Sequence, residues 1–269
     1  MDAAPNLRVI SNMAVGFDNV DVAEATRRGI PVGNTPGILT ETTADLAFGL
    51  MLTSARRIVE GDKEVHAGRW KFWDPLGFLG EDVHGATLGI VGMGKIGAAV
   101  ARRARGFGMK VLYCDVVRRH ELERELGAEF VSLEELLSMV DFVTIHVDLN
   151  PRTYHLIDSR KIRLMKKNCI LVNTARGPIV DNVALYASLK KKRIRGAALD
   201  VTEPEPLPPN HPLLALDNVL VTPHIASASW TTRNKMAQVA ADNLLAGLAG
   251  KRLPYCINPE VYARIQSRA

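Results

Sequence analysis

The sequence predicts an α/β fold, a doubly wound parallel sheet of the dinucleotide-binding (Rossmann) kind with shorter segments outside it. Two observations carry this. The first is the stretch from Ala86 to Asp115, ATLGIVGMGKIGAAVARRARGFGMKVLYCD. Residues 87–91 form a short apolar run suited to a buried parallel strand, and Gly92-Met93-Gly94-Lys95-Ile96-Gly97 is a G-x-G-x-x-G turn. Ile96, Val100, Ala104 and Phe107 follow at helical spacing, and residues 110–114 make a second strand ending on Asp115. Gly92 permits a tight turn, Gly94 lets backbone amides approach a pyrophosphate, and Gly97 lets helix and strand pack closely. The helix start at Lys95 and Ile96 offers unpaired N–H groups and the positive end of the dipole to phosphates. Asp115 can accept hydrogen bonds from the adenosine ribose hydroxyls. The second observation is the alternation of six short apolar runs with helical patterns, the signature of a parallel sheet.

In chain order, residues 7–11 and 30–32 read as strands with residues 20–28 helical between them. That is one βαβ unit, too small to fold alone. Residues 40–68 carry Leu46, Leu50, Leu52 and Ile58 and are expected to form one long linking helix. The six strands of the main sheet are residues 88–91, 111–114, 142–145, 170–172, 197–199 and 219–221. Residues 133–140, 158–165 and 183–189 read as helices between them. Residues 231–250, rich in alanine and leucine, form a further helix, and the proline-bearing tail at 253–262 is expected to be irregular.

With 269 residues, 47% hydrophobic and 23% charged, the chain can bury a sizeable core. The net charge of +5 is modest and comes partly from Lys190-Lys191-Lys192-Arg193 and Arg195. That run follows Val183, Ala184, Leu185 and Leu189, so it reads as the solvent-facing last turn of a helix, where cations complement the dipole. No aromatic residues interleave with it, and no nucleic-acid partner is expected. Cys114, Cys169 and Cys256 lie far apart, with no C-x-x-C and no His/Cys cluster, so no metal is expected. Two of them fall in apolar runs, as buried thiols of a reducing compartment would. No signal peptide and no membrane-length apolar run is visible, so a cytoplasmic chain that meets no membrane is expected.

Ligands of open α/β sheets bind just past the carboxyl ends of the strands. Three polar residues sit there: Arg176 in NTARG, Glu205 in DVTEPEP and His224 in TPHIAS. Singly, each has a bland reading: a surface or capping cation, an acid in a proline-rich loop, a turn histidine. Together they suit the reduction of a 2-keto acid. Arginine offers a fixed fork to a carboxylate. Histidine carries a proton available near neutral pH, and a neighbouring carboxylate would favour its charged form and orient the ring.

With these motifs the chain resembles the D-isomer-specific 2-hydroxyacid dehydrogenase family, most of all its glyoxylate/hydroxypyruvate reductase branch. The matching motifs are NLRVISNMAVGFDNVD (6–21), GNTPGILTETTADL (33–46), GIVGMGKIG (89–97), LVNTARGPIVD (171–181), GAALDVTEPEPLPPNHPLL (196–214) and VLVTPHIASAS (219–229). The resemblance implies that Arg176 binds the substrate carboxylate and carbonyl, that Glu205 is the acid paired to histidine with Glu203 a bystander, and that His224 donates the proton. The backbone at Val15 and Gly16 would cradle the substrate carboxylate. Asp200 would hold the nicotinamide carboxamide, with Thr174, Ala175, Arg176, His224, Ala226 and Ser227 lining the cofactor. Asp115 favours NAD, while Arg118 and Arg119 leave NADP open.

The resemblance further implies a remnant of a flavodoxin-like substrate domain at residues 1–40. The dinucleotide domain would occupy residues 41–227, with a linking helix and dimerisation loop at 41–85, and residues 228–269 would return to the substrate domain. Family members carry several tens of residues ahead of the NLRVIS motif, so the substrate domain is expected to be truncated. The loop at 69–85, with Trp70, Trp73 and Phe78, is expected either to make a homodimer contact or simply to pack on its own chain. The expected activity is NAD(P)-dependent reduction of a small 2-keto acid. A non-catalytic, corepressor-like NAD-binding scaffold and a weakly active cofactor-binding fragment are the alternatives.

Overall fold

Seven parallel strands form the main sheet of the computed structural model, which describes residues 1–266. They are β3 (Thr87–Val91), β4 (Lys110–Cys114), β5 (Glu129–Phe130), β6 (Phe142–Ile145), β7 (Ile170–Asn173), β8 (Gly196–Leu199) and β9 (Val219–Val221), in the order β5-β4-β3-β6-β7-β8-β9. All six expected strands are present. The seventh, β5, is a two-residue edge strand with both residues exposed, too short for any periodicity to announce it. The chain runs outward from β3 through β4 to β5, then returns to β6 on the other side of β3, so the order reverses between β3 and β6. A crevice at the carboxyl ends of the strands opens at such a reversal.

The chain divides into two compact units, Thr43–Ala226 and Met1–Thr42 with the residues from Ser227 onward. In the larger unit the sheet is buried on both faces, as a parallel sheet must be. Side chains alternate between them: Val111 and Tyr113 join one core with Phe48, Met51, Ala101 and Ala104, while Leu112 joins the other with Leu136, Leu137, Ile162 and Leu185. The helices that cover it are α2 (Thr40–Ala55), α4 (Lys95–Gly106), α6 (Leu133–Met139), α7 (Ser159–Leu164) and α8 (Asn182–Lys190). Asp181 caps α8 by accepting from the Val183 and Ala184 amides, and the lysine run closes it as expected, with Lys190 in the last turn. A short helix α5 (His120–Leu126) precedes β5.

The single helix expected over residues 40–68 is two. The helix α2 ends at Ala55, and α3 (Ile58–His66) begins after Arg57, whose φ is 54°. The cause is distant in sequence: the Ala55 carbonyl accepts from the Glu81 amide at 2.9 Å, so the returning chain takes a group that the helix would have used.

In the smaller unit β1 (Ile10–Ser11) pairs in parallel with β2 (Val32–Gly33), both shorter than the apolar runs suggested. Between them α1 (Val22–Arg28) is capped by Asp21 and ends at Gly29 in the left-handed region. The long helix α9 (Trp230–Leu248) starts at the cap Ser229 and lies against both strands. The tail is irregular up to residue 260, as expected, yet tied to the rest of the unit. Cys256 bridges Gly33, a final helix α10 (Val261–Gln266) forms, and buried Asn258 bonds the Val32 amide, the Thr26 hydroxyl and the Ile30 carbonyl.

Candidate active site

The glycine turn takes the form the nucleotide motif demands. Gly92 has φ 96°, and a Cβ there would stand 2.7 Å from the His146 carbonyl oxygen. A Cβ on Gly97 would stand 2.1 Å from the Gly92 carbonyl oxygen, so helix and strand meet at a distance only glycine allows. Above Gly94 there is open space, and Gly94 starts α4 with no side chain capping it. The first-turn amides therefore face solvent as an anion site. Asp115 follows β4, with one carboxylate oxygen accepting from the Met93 amide at 2.8 Å, which ties the acid to the turn. At the end of β7 the Thr174 hydroxyl oxygen is buried without a protein partner, where a ligand group can pair with it. Turn, open N-terminus, acid and orphan hydroxyl together fit a dinucleotide.

Arg118 and Arg119, which follow Asp115, differ in position. The Arg118 guanidinium is bidentate to Glu123 at 2.8 and 3.1 Å and lies over the Phe130 ring. The Arg119 backbone amide donates to the Tyr113 hydroxyl, and its Nε is buried without a partner.

Arg176, Glu205 and His224 follow β7, β8 and β9, three adjacent strands. His224 Nδ1 lies 2.6 Å from Glu205 Oε1, and both side chains are partly exposed. With Nδ1–H donating to the carboxylate, Nε2 is the atom left to meet a substrate. The segments bearing Arg176 and Glu205 are pressed together: a Cβ on Gly177 would stand 1.9 Å from the Thr202 carbonyl oxygen. Glu203 takes no part in the histidine pair. It meets His155 Nε2 at 2.9 Å and the Tyr154 hydroxyl at 3.4 Å.

Two residues escaped the sequence reading because they act only through the folded backbone. Asn173, at the end of β7, accepts from the Ala175 amide and donates to the Arg176 carbonyl, which fixes the turn that carries the arginine. Thr222 donates to Asp200 Oδ1 at 2.6 Å. Asp200 itself is buried, and its carboxylate also accepts from the Ile225 and Ala226 amides, each at 2.8 Å. Its backbone carbonyl accepts from the His224 amide at 2.9 Å. His224 has φ 53°, a left-handed conformation that needs such support. Asp200 is therefore first an anchor of the histidine turn. Ala226 is buried directly after that anchor, and Ser227, also buried, opens the segment that belongs to the smaller unit. Val15 and Gly16 lie in the smaller unit, in the loop after β1. Among the described residues no cluster of side chains suited to a metal ion occurs.

A dinucleotide sheet with an arginine and a paired histidine on adjacent strand tips defines a nicotinamide-dependent oxidoreductase. Residues 48–226 match the family model described as D-isomer specific 2-hydroxyacid dehydrogenase, NAD binding domain. The chain belongs to that family and is an NAD(P)-dependent enzyme of 2-hydroxy acids. It is 57% identical over 261 residues to a glyoxylate reductase of Korarchaeum cryptofilum, covering 97% of this chain and 79% of that protein. With the glyoxylate reductase of Pyrococcus horikoshii the identity is 52% over 262 residues, covering 96% and 78%. Among solved structures, a protein of Thermus thermophilus superposes with a TM-score of 0.90 at 50% identity, covering 96% of this chain and 81% of that one. An NADPH-dependent glyoxylate/hydroxypyruvate reductase of Sinorhizobium meliloti, solved with NADP and malonate, gives 0.86 at 35% identity, covering 96% and 79%. These relatives favour the enzyme over the non-catalytic scaffold.

Proposed function

We propose that the chain reduces glyoxylate or hydroxypyruvate to the corresponding 2-hydroxy acid. The observation that carries the mechanism is the 2.6 Å contact between His224 Nδ1 and Glu205. Glu205 holds the ring in one orientation, so His224 Nε2 presents a proton to the carbonyl oxygen as it gains negative charge. Arg176 pairs with the substrate carboxylate and polarises the carbonyl, and the backbone at Val15 and Gly16 is a further carboxylate-binding element. A nicotinamide dinucleotide held here would supply the hydride. Lys95, Ile96 and Gly97 would offer their amides to its pyrophosphate, Asp115 would meet the ribose, and Thr174, Ala175, Ala226 and Ser227 would line the remainder. Asp200 would hold the carboxamide while anchoring the histidine turn.

NAD is the favoured form, since Asp115 would face a 2'-phosphate and Arg118 is already committed to Glu123. The enzyme acts as a homodimer, a reading supported by the exposed Trp70, Phe72, Trp73 and Leu76 on one loop. Its three free thiols suit the reducing cytoplasm. We take the smaller unit as the substrate domain and the larger as the cofactor domain.

NADH oxidation with glyoxylate tests the reading. His224→Ala should lower kcat by about 10²–10⁴-fold, the range for removal of a general acid, and leave NADH binding largely intact. Arg176→Ala should raise the KM for glyoxylate as well as lowering kcat. Full turnover by the His224 variant, or parallel loss of NADH binding, would refute the assignment.

A further inference from the structure

The loop after β1 has an unusual backbone pattern. Three consecutive carbonyls, those of Ala14, Val15 and Gly16, each accept a hydrogen bond from within the smaller unit. The Thr35 amide donates to Ala14 O at 2.9 Å, Asn34 Nδ2 to Val15 O at 2.9 Å, and Asn12 Nδ2 to Gly16 O at 2.8 Å. A trans peptide is planar, with its C=O and N–H pointing in opposite directions. Anchoring those three carbonyls therefore turns the next three N–H groups, on Val15, Gly16 and Phe17, each away from its own anchoring group. Among the described residues none of these three amides donates to a protein group. Successive backbone N–H groups left without protein partners are available to an anion.

The anchors are themselves held in place. The Asn34 carbonyl accepts from Asn243 Nδ2 at 3.0 Å, and its amide donates to the Tyr255 carbonyl. The Asn12 amide donates to the Gly33 carbonyl at 2.8 Å. Asn243 is wholly buried and Asn34 nearly so. Both side chains thus keep their amide groups aimed at the loop before any ligand arrives.

We infer that Asn12 and Asn34 are positioning residues that preorganise the loop for the substrate carboxylate, and that the Phe17 amide is a third donor beside Val15 and Gly16. This rests on the proposal that Val15 and Gly16 receive the carboxylate. It assigns the loop's readiness to two neutral side chains that need never touch the substrate. Asparagine suits this role. Its amide is a donor without charge, so it fixes a carbonyl without itself drawing the anion.

The test is Asn12→Ala/Asn34→Ala, assayed with glyoxylate and with its neutral methyl ester, alongside NADH titration by fluorescence. The expected result is a KM for glyoxylate raised about 10-fold or more, in keeping with the loss of charge-assisted hydrogen bonds, with kcat within about 2-fold. The KM for the ester and the NADH affinity should not move. An unchanged KM for glyoxylate, or an equal rise for the ester, overturns the inference. If the wild-type enzyme fails to prefer glyoxylate over the ester, carboxylate capture itself is wrong, which is a separate failure. Should the double variant not fold, replacing Phe17 with its α-hydroxy analogue removes that one N–H and leaves every side chain intact. A KM unaltered by that exchange equally overturns the role of the Phe17 amide.

Discussion

At the scale of single residues, the site depends on places where one more atom does not fit. Gly177 is the clearest, because its missing Cβ leaves room for the Thr202 carbonyl, directly before Glu203 begins the EPEP segment. Backbone cannot move aside as a side-chain tip can. Gly177→Ala should displace the segment bearing Glu205, cost about 1–3 kcal/mol as overpacking does, and lower kcat/KM well beyond that stability loss. Thermal melting and steady-state kinetics on the same preparation would check both. Wild-type kinetics in the variant would show that Thr202 can yield. The trio proposed to act on substrate was placed from the sequence because strand tips can be counted from apolar runs. The residues that hold the trio were not. Asn173 and Thr222 each bond a group whose position only the folded chain defines, and Asn12 and Asn34 do the same for the separate loop after β1.

At the scale of elements, the turn after β9 is a small device for holding a histidine in a conformation its own backbone resists. Thr222, Ile225 and Ala226 all donate to one buried carboxylate. Thr222→Val removes one of these bonds without changing the shape of the side chain. It should slow turnover more than it weakens NADH binding, and the solvent isotope effect on kcat should rise as proton delivery becomes limiting. Thr222→Ser should restore both. Equal losses in kcat and NADH affinity would mean that the turn serves the cofactor instead. The same scale shows what periodicity can and cannot tell. The six longer strands and their helices follow from runs of apolar residues. The break between α2 and α3 does not, since it is imposed by a carbonyl that residue 81 reaches back to claim.

At the scale of the whole molecule, two properties are open to measurement. The loop carrying Trp70, Phe72, Trp73 and Leu76 exposes each of them by two thirds or more, a large apolar surface for a chain on its own. Trp70→Ser/Trp73→Ser should shift the sedimentation profile from dimer to monomer. A dimer that persists through these changes would remove this loop from the interface. The second property is acid stability. Burial lowers the His146 pKa from 6.5 to about 3, so the folded protein refuses a proton that the unfolded chain accepts. The unfolded state binds more protons below pH 6.5, and stability should fall as pH drops from there towards about 3. His146→Asn should lose less of its melting temperature than the wild type between about pH 7 and pH 5. A variant as acid-sensitive as the wild type would place the loss elsewhere.

The bond from the Met93 amide to Asp115 has a practical corollary for anyone wishing to redirect the enzyme to a phosphorylated coenzyme. The obvious exchange at position 115 would remove the acid proposed to repel the extra phosphate. It would also release the amide that keeps the glycine turn in shape. On the proposed reading, coenzyme choice and the shape of the glycine turn share one carboxylate. Redesign at this position will therefore trade affinity for selectivity unless the new side chain also accepts that hydrogen bond.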